Sequence, residues 1–439
     1  MNNALASQPY RTISGAGRQT AQIFLQPAGS LLLHPIIVLP AFVYLLGGSA
    51  AQIAWYAVVA GLASGIAGPT GSLVTSFPQL TRLIAGVLLT VQMLGFLIIA
   101  FAALRAGGIS DDGLLGIAAT GFLILLLPTG ILLRIVEQSR EYARASVSLM
   151  TITIMAGASV VLTGFGIWRL TDSPGAGVAE LLGRLLLAGA LALTAATWLG
   201  LLPMLTSDHL PYPARTLPST NAPGFFTNSP LIRYTIFQLF DGISRFADPF
   251  ILIGVITLFA PDLVWWGGAA LAFAIGEALA RFIMSSTRQP NARTAIVFGT
   301  FLRAMTLILI AFVPTLATTT FMTERNLPEN WQNWIIVVAA LLLGTGYWLS
   351  HAGNARYIQS ITPPSTRELT RAVIGVVLIV TAFAPIIAIR MQDSMSFEVL
   401  LRYGAGAAVI VLLTTAMIIR PYSPPGRRGG SWTLRRQSV

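Results

Sequence analysis

Three ionisable residues interrupt an apolar run. Asp241, Arg245 and Asp248 lie within residues 231–259, a stretch long enough to cross a bilayer. On one continuous helix their i, i+4 and i+7 spacing places the arginine between two carboxylates on a single face. A charge at the bilayer centre costs about 2.5–3.5 kcal/mol on insertion scales, so such residues face protein or water. The pattern predicts a cavity in which Arg245 holds an anionic group and the unpaired aspartate carries a proton; a self-neutralising structural clip is the alternative.

The composition is that of a polytopic membrane protein. Hydrophobic residues make up 55% of the chain and charged residues 10%, and the mean hydropathy is +0.74. Absence of cysteine excludes disulfides and thiolate metal sites. All 27 basic residues are arginine, and a nucleotide-binding loop of the G-x-x-x-x-G-K-[ST] type needs lysine. No cofactor is therefore expected. The net charge of +11 reflects arginines between apolar segments, as in topology signals, and predicts no nucleic-acid partner.

Apolar segments of about 20 residues predict an all-α protein with twelve membrane-spanning helices in two groups of six. The predicted spans lie at about 31–49, 52–71, 82–104, 113–135, 146–169, 179–205, 231–260, 263–285, 294–318, 332–353, 370–391 and 397–419. The predicted organisation is a cytoplasmic lead (1–30), a first six-helix bundle (31–205), a Pro- and Ser-rich cytoplasmic linker (206–230), a second bundle (231–420) and a basic cytoplasmic tail (421–439).

The loop arginines predict the orientation. When successive connections are assigned alternately to the two sides, most arginines outside the spans fall on the side of both termini. Because arginine accumulates on the cytoplasmic side, both termini are predicted to be cytoplasmic, in a multi-pass protein of the inner or plasma membrane. Tryptophans including Trp55, Trp168 and Trp334 lie near the opposite ends of their spans, as in an outer aromatic belt.

A short internal repeat indicates that the two groups of six are related. The pattern R-E-x-x-R-A follows the fourth and tenth predicted spans, with an offset of 227 residues for both arginines (367 − 140 and 371 − 144). Two parallel repeats related by an axis along the membrane normal would produce this match, and coincidence is the alternative. The pattern also supplies candidates for a cytoplasmic gate: Arg140, Glu141, Arg144, Arg367, Glu368 and Arg371.

With twelve spans, parallel halves and a long central loop, the whole chain resembles the major facilitator superfamily. The family often carries a signature rich in Gly, Asp and Arg after the second and eighth spans, and residues 68–78 and 281–293 here lack its acid. The resemblance implies that the first, fourth, seventh and tenth spans line a central cavity. It implies a functionally monomeric secondary transporter that moves a small molecule by alternating access. Carboxylates inside the membrane favour protons as the coupling ion.

Further ionisable and aromatic residues lie inside the predicted spans. Glu277 and Arg303 are expected to form an interhelical ion pair, although Glu277 could be a second proton site. Tyr347 and Trp348 could stack on a ring-bearing substrate or serve only packing. His351 could relay protons, or its ring could be satisfied by a neighbouring backbone group.

Two other classes of function compete with transport. A non-transporting assembly protein built on a transporter fold would explain the missing acidic signature residues. A membrane enzyme is disfavoured because the only adjacent acids, Asp111 and Asp112, fall in a short turn. His, Asp and Glu residues do not cluster at ligand spacing, so no metal is expected. The sequence therefore predicts a transporter that is not an enzyme.

Overall fold

The computed structural model describes most of the chain between residues 8 and 420. The described ranges are 8–75, 78–106, 108, 110–142, 149–172, 177–206, 228–259, 262–286, 291–317, 331–362, 367–392 and 394–420. Most of the predicted linker and the predicted basic tail lie outside these ranges, so their boundaries stay predictions.

The described residues form α-helices and one 3₁₀ segment, and they contain no strand. The first half comprises α1 (Gln8–Leu32), α2 (Leu39–Leu45), α3 (Ala50–Thr75), α4 (Pro78–Arg105), α5 (Asp111–Tyr142), α6 (Leu149–Thr171) and α7 (Val178–Thr206). The second half comprises α8 (Ser229–Ser244), the 3₁₀ segment (Arg245–Phe250), α9 (Ile251–Phe259), α10 (Leu263–Ser285), α11 (Ala292–Ala317), α12 (Trp331–Ile361), α13 (Arg367–Ala382), α14 (Ala384–Gln392) and α15 (Phe397–Ile418).

Ten apolar stretches in the described part of the chain are long enough to cross a membrane. Helices α13 and α14 together make one of them, from Leu369 to Gln392. The predicted first and seventh spans are not among the ten, because each is divided into shorter helices. The chain is therefore an all-helical, multi-pass membrane protein, while the count of twelve spans stays a prediction.

The first helix begins earlier than the sequence predicted. Helix α1 runs from Gln8 to Leu32 and packs against α6 and α7, so the first packed helix starts within the residues predicted as a cytoplasmic lead, and the boundary at residue 30 stays a prediction. Close packing is possible because Gly29 has no side chain: a Cβ there would lie 2.9 Å from the backbone nitrogen of Leu193. The helix ends just before His34, and a short break precedes α2.

The hydrophobic core differs between the two ends of the molecule. One cluster joins residues of both halves, including Phe42 and Leu114 of the first half and Phe250 and Ala339 of the second. We call this the shared-core end. At the other end the halves have separate clusters, one formed by α3, α4, α5 and α7 and two formed by second-half helices. We call it the split-core end. Among the described residues, the two halves thus share a hydrophobic cluster at one end and have separate clusters at the other.

The halves meet along two helix pairs, α3 with α13 and α6 with α10. Small residues bring the backbones close in both pairs. A Cβ on Gly65 would lie 2.8 Å from the nitrogen of Ile379, and one on Gly164 would lie 3.1 Å from the Cα of Leu271. Small residues at such contacts are usual in membrane helix packing, where close approach of backbones replaces the hydrophobic effect.

The R-E-x-x-R-A match is only partly described. Arg140 and Glu141 lie in α5, and the second copy begins with Arg367 and Glu368 at the start of α13. Residues 143–145 of the first copy lie outside the described residues. The arrangement of the halves as two repeats stays a prediction.

Candidate substrate cavity

The predicted seventh span is broken at its charged residues. Helix α8 ends at Ser244, residues 245–250 form a 3₁₀ turn, and α9 continues from Ile251. Pro249 lies in the break, and because proline has no backbone N–H it removes one i→i−4 hydrogen bond and its ring clashes with the preceding turn. Asp241, Arg245 and Asp248 therefore do not share the face of one continuous helix, and the predicted geometry is wrong in this respect.

The first ion pair lies within the broken span. Nε and Nη2 of Arg245 donate to Oδ2 of Asp241 at 3.0 and 2.8 Å. This is the i, i+4 pair that the sequence predicts. Oδ1 of Asp241 is buried and has no hydrogen-bond partner among the described residues. Nη1 of Arg303 lies 3.9 Å from it. One oxygen of this carboxylate is thus bonded and the other is not.

The second ion pair joins the break to α11. Arg303 donates to both carboxylate oxygens of Asp248, at distances from 2.8 to 3.1 Å. It also donates to the hydroxyl of Ser244 at 3.0 Å and to the carbonyl of Ser244 at 2.8 Å. The arginine therefore neutralises the aspartate and satisfies a backbone carbonyl where the α-helix ends, which fixes the break in place.

The four charged groups differ in their exposure. The side chain of Arg245 is 27% exposed, whereas those of Asp241, Asp248 and Arg303 are only 3–5% exposed. The sequence predicted two acids around one base and a surplus negative charge. Arg303 completes a neutral set of two acids and two bases instead. A solute that enters from water meets positive charge first.

A cavity of about 320 Å³ lies beside this cluster. Its volume is at the lower end of the range for small-molecule sites, which is roughly 300–1,000 Å³. Both halves contribute to its wall. The lining residues from the first half are Pro35, Ile36, Ala57, Ala60, Gly61 and Ser64. Those from the second half are Gln238, Asp241, Gly242, Arg245, Asp248, Pro249, Tyr347, His351, Asn354, Leu378, Thr381, Ala382, Ala384 and Pro385.

Aromatic rings connect the charged cluster to the break after α1. The guanidinium of Arg245 lies 5.9 Å from the ring centre of Tyr347. That ring contacts His34 edge-on at 5.4 Å between centroids, and His34 also packs against Phe273 at 4.9 Å. His34 belongs to the first half and the other three residues to the second. Tyr347 thus lies between the charged cluster and the joint of the two halves.

Not every residue that the sequence singled out reaches the cavity. Tyr347 and His351 line it, but Glu277 and Trp348 do not. Glu277 forms an ion pair with Arg281 of its own helix, so the predicted Glu277–Arg303 pair is wrong. The guanidinium of Arg281 in turn covers the ring of Trp348 at 4.7 Å. These three residues form a unit of their own.

The gate candidates are only partly described. Arg140 and Glu141 lie in α5, Arg367, Glu368 and Arg371 lie in α13, and Arg144 lies outside the described residues. Their role as a gate stays a prediction. Other arginines, which lie in α11 and α12, donate to carbonyls near the ends of neighbouring helices at the split-core end. Arg293 donates to the carbonyl of Ile419 at 2.6 Å, and Arg356 donates to that of Met284 at 2.7 Å.

Sequence reasoning missed several polar residues that line the cavity, among them Gln238 and Asn354. Gln238 is buried, lines the cavity and lies three residues before Asp241, so its helical spacing could have identified it. Asn354 lies three residues after His351 and follows the same rule. The hydrogen bonds from Arg303 to Asp248 and Ser244 could not be found from helical spacing, because these partners lie more than 50 residues away in the chain. Within the described residues, no group of His, Asp or Glu could hold a metal ion.

Comparison with known proteins identifies the fold. No protein-family model matches the chain, and no curated protein does. Solved structures match over nearly the whole length. The nucleoside transporter NupG is 14% identical with a TM-score of 0.59, covering 93% of this chain and 100% of its own. A POT family transporter in complex with 5-aminolevulinic acid is 11% identical with a TM-score of 0.60, covering 92% and 95%. The chain has a major-facilitator-type transporter fold. A bacterial homologue of the iron transporter ferroportin, in its outward-facing state, is 13% identical with a TM-score of 0.57, covering 92% and 99%.

This fold agrees with the resemblance inferred from the sequence. The three neighbours are described with three different species, a nucleoside, 5-aminolevulinic acid and iron, so the major-facilitator-type fold by itself selects no substrate. The chemistry of the site has to come from the residues of this chain.

Proposed function

We propose that the protein is a proton-coupled secondary transporter that moves a small molecule across the membrane by alternating access. The observation that carries this proposal is the cavity between the two halves, with a partly exposed arginine paired to a buried aspartate. Ionisable residues inside a membrane domain are costly, and they are usually kept where they act on a substrate or an ion. The transporter fold of the neighbouring structures supports the same conclusion.

The distribution of the core supports alternating access. In this proposal the shared-core end would close the cavity from one side, while the separate cores would allow the halves to part at the other. Rocking about the α3–α13 and α6–α10 contacts would separate the shared core and bring the split-core ends together. The arginine-rich split-core end would then be the cytoplasmic side, and the present conformation would face inward.

Asp241 is the favoured proton site. Both oxygens of Asp248 accept hydrogen bonds from the buried Arg303, whereas Oδ1 of Asp241 has no hydrogen-bond partner within the described part of the chain. A proton on Oδ1 would cancel the charge of Asp241 and weaken its hold on Arg245. The arginine would then be released toward the cavity. Proton uptake and solute binding would be coupled through this one pair.

Flux across a defined membrane tests the proposal. The purified full-length protein would be reconstituted into liposomes, and currents on a solid-supported membrane would be recorded for a panel of small metabolites at equal pH and with an inward proton gradient. We expect at least one solute to give a current that depends on the protein and grows with the gradient. Empty liposomes are the control.

A panel that produces no protein-dependent current with correctly folded protein would contradict transport. A protein-dependent current that does not change with the proton gradient would support transport and contradict proton coupling. These outcomes separate the two parts of the proposal.

A further inference from the structure

We infer that the cavity selects a small organic monoanion, a carboxylate with a short apolar body, bound at Arg245 together with one proton. This inference rests on the proposed transport function and names its class of substrate. It follows from the donors that remain on Arg245, the charge balance of the cluster and the side chains that line the remaining wall.

Arg245 has donors to spare. A guanidinium carries five N–H groups, and the contacts to Asp241 use one on Nε and one on Nη2. Nη1 has no hydrogen-bond partner among the described residues. The end of the fork, formed by Nη1 and Nη2, can therefore donate two parallel hydrogen bonds. A planar carboxylate accepts this arrangement in bidentate fashion.

The exposure of Arg245 to the cavity determines the sign of the charge that the ligand should carry. Arg245 is the only arginine that lines the cavity in the described structure, and it is far more exposed than either aspartate. An ammonium group would meet the guanidinium before it reached Asp241 or Asp248, and like charges repel at that distance. An acid group meets no such barrier.

The number of charges follows from neutrality. The four-residue cluster has no net charge, so a bound monoanion adds one negative charge inside a low-dielectric site. One proton taken up at Asp241 restores neutrality, and no bond other than that O–H bond forms. A dianion would leave a second negative charge without a partner, which is costly when buried. The cluster thus fits one carboxylate and one proton.

Part of the remaining wall fits an apolar body, beside the polar side chains of Ser64, Gln238, His351, Asn354 and Thr381. Ala57, Ala60 and Gly61 of α3 and Ala382, Ala384 and Pro385 at the α13–α14 junction are small and offer no side-chain hydrogen bonds. Small side chains leave room, and apolar surface removed from water contributes about 25 cal/mol per Å². The volume of about 320 Å³ limits this body to a small group.

A matched panel tests the inference. Each carbon skeleton is offered as acid, primary amide and amine: butyrate, butyramide and butylamine; benzoate, benzamide and benzylamine. Acetate tests the need for an apolar body, and terephthalate tests the effect of a second negative charge. Binding to the purified full-length protein is measured by thermal shift and by calorimetry. We expect binding by monocarboxylates with an apolar body, and binding roughly 10-fold to 100-fold weaker, or absent, for the amides, the amines and terephthalate.

Variants assign the binding to Arg245. In Arg245→Gln, acid binding should weaken by at least roughly 10-fold, while Arg245→Lys should retain part of it. Should Arg245→Gln fail to fold because Asp241 is left unpaired, the double variant Asp241→Asn/Arg245→Gln removes both charges. Arg184→Gln is the control, because Arg184 is half-exposed, pairs with Glu180 and does not line the cavity.

Several results would overturn the inference. They are equal binding of amines or amides, undiminished acid binding by Arg245→Gln or by the double variant, and no binding by any acid of the panel. Acid binding without flux in liposomes would instead contradict the transport function and leave the ligand class intact.

Discussion

The two ion pairs of the broken span have similar partners and opposite surroundings. Asp248 and Arg303 are both buried, and their hydrogen bonds extend to Ser244, so the pair holds the shape of the break. Asp241 and Arg245 lie one turn earlier, with the arginine partly exposed to the cavity and one carboxylate oxygen unbonded. The comparison indicates that an intramembrane charged side chain has a structural role when all its hydrogen-bonding atoms have protein partners. When some of those atoms have none, the side chain can bind a substrate or a proton.

The largest effect is expected when the buried pair is broken. Arg303→Met leaves Asp248 as an uncompensated buried charge and frees the carbonyl of Ser244, which should lower the free energy of unfolding by about 3–5 kcal/mol. Arg245→Met should cost less, about 1–2 kcal/mol, because Nη1 of Arg303 lies 3.9 Å from Oδ1 of Asp241 and partly compensates its charge. Reversible unfolding in mixed detergent, with Arg184→Met as the control, measures both. Equal losses of unfolding free energy for the two variants would contradict the distinction between a structural and a functional ion pair.

A smaller loss of stability is expected when a lysine replaces an arginine of either ion pair, because the positive charge is kept and the planar guanidinium is lost. Arg303 donates to four acceptor atoms, two on Asp248 and two on Ser244, and the compact ammonium of a lysine cannot reach them all. Arg303→Lys should lower the free energy of unfolding by about 1.5–3 kcal/mol. Arg245 has a single acceptor, so Arg245→Lys should cost less than about 1 kcal/mol. The same unfolding assay measures both losses. A larger loss for Arg245→Lys than for Arg303→Lys would contradict the structural role assigned to Arg303.

The smallest effect is expected outside the cluster. Glu277 pairs with Arg281 on its own helix and does not line the cavity. Glu277→Gln should change the free energy of unfolding by less than about 1 kcal/mol and leave gradient-driven flux unchanged, since Arg281 keeps its contact with Trp348. The liposome assay checks this. A loss of coupling in this variant would restore Glu277 as a second proton site.

The membrane class of the protein and the position of the candidate site could both be predicted from the sequence, because both predictions follow from local composition. Long apolar segments predict membrane helices, and charges inside one of them mark a costly location. The Asp241–Arg245 pair was predictable as well, since helical spacing alone brings the two side chains together.

What the sequence missed depends on packing. The start of α1 was hidden because its first residues are polar and carry no apolar run, while the packing of this helix against α6 and α7 is a tertiary contact. Pro249 was a visible helix breaker, and treating residues 231–259 as one helix overlooked it. The partner of Asp248 was unreadable, because nothing in a single sequence tells whether Arg303 faces Asp248 or Glu277. That choice is made by how α11 packs.

The most direct test of the account compares Asp241→Asn with Asp248→Asn in liposomes, using the best-bound acid of the matched panel. We predict that Asp241→Asn keeps exchange of labelled for unlabelled solute and loses accumulation driven by the proton gradient, with near-normal thermal stability. Asp248→Asn should lose thermal stability and keep coupling in the fraction that remains folded. Full gradient-driven accumulation by Asp241→Asn would contradict the central claim that this pair links proton and solute.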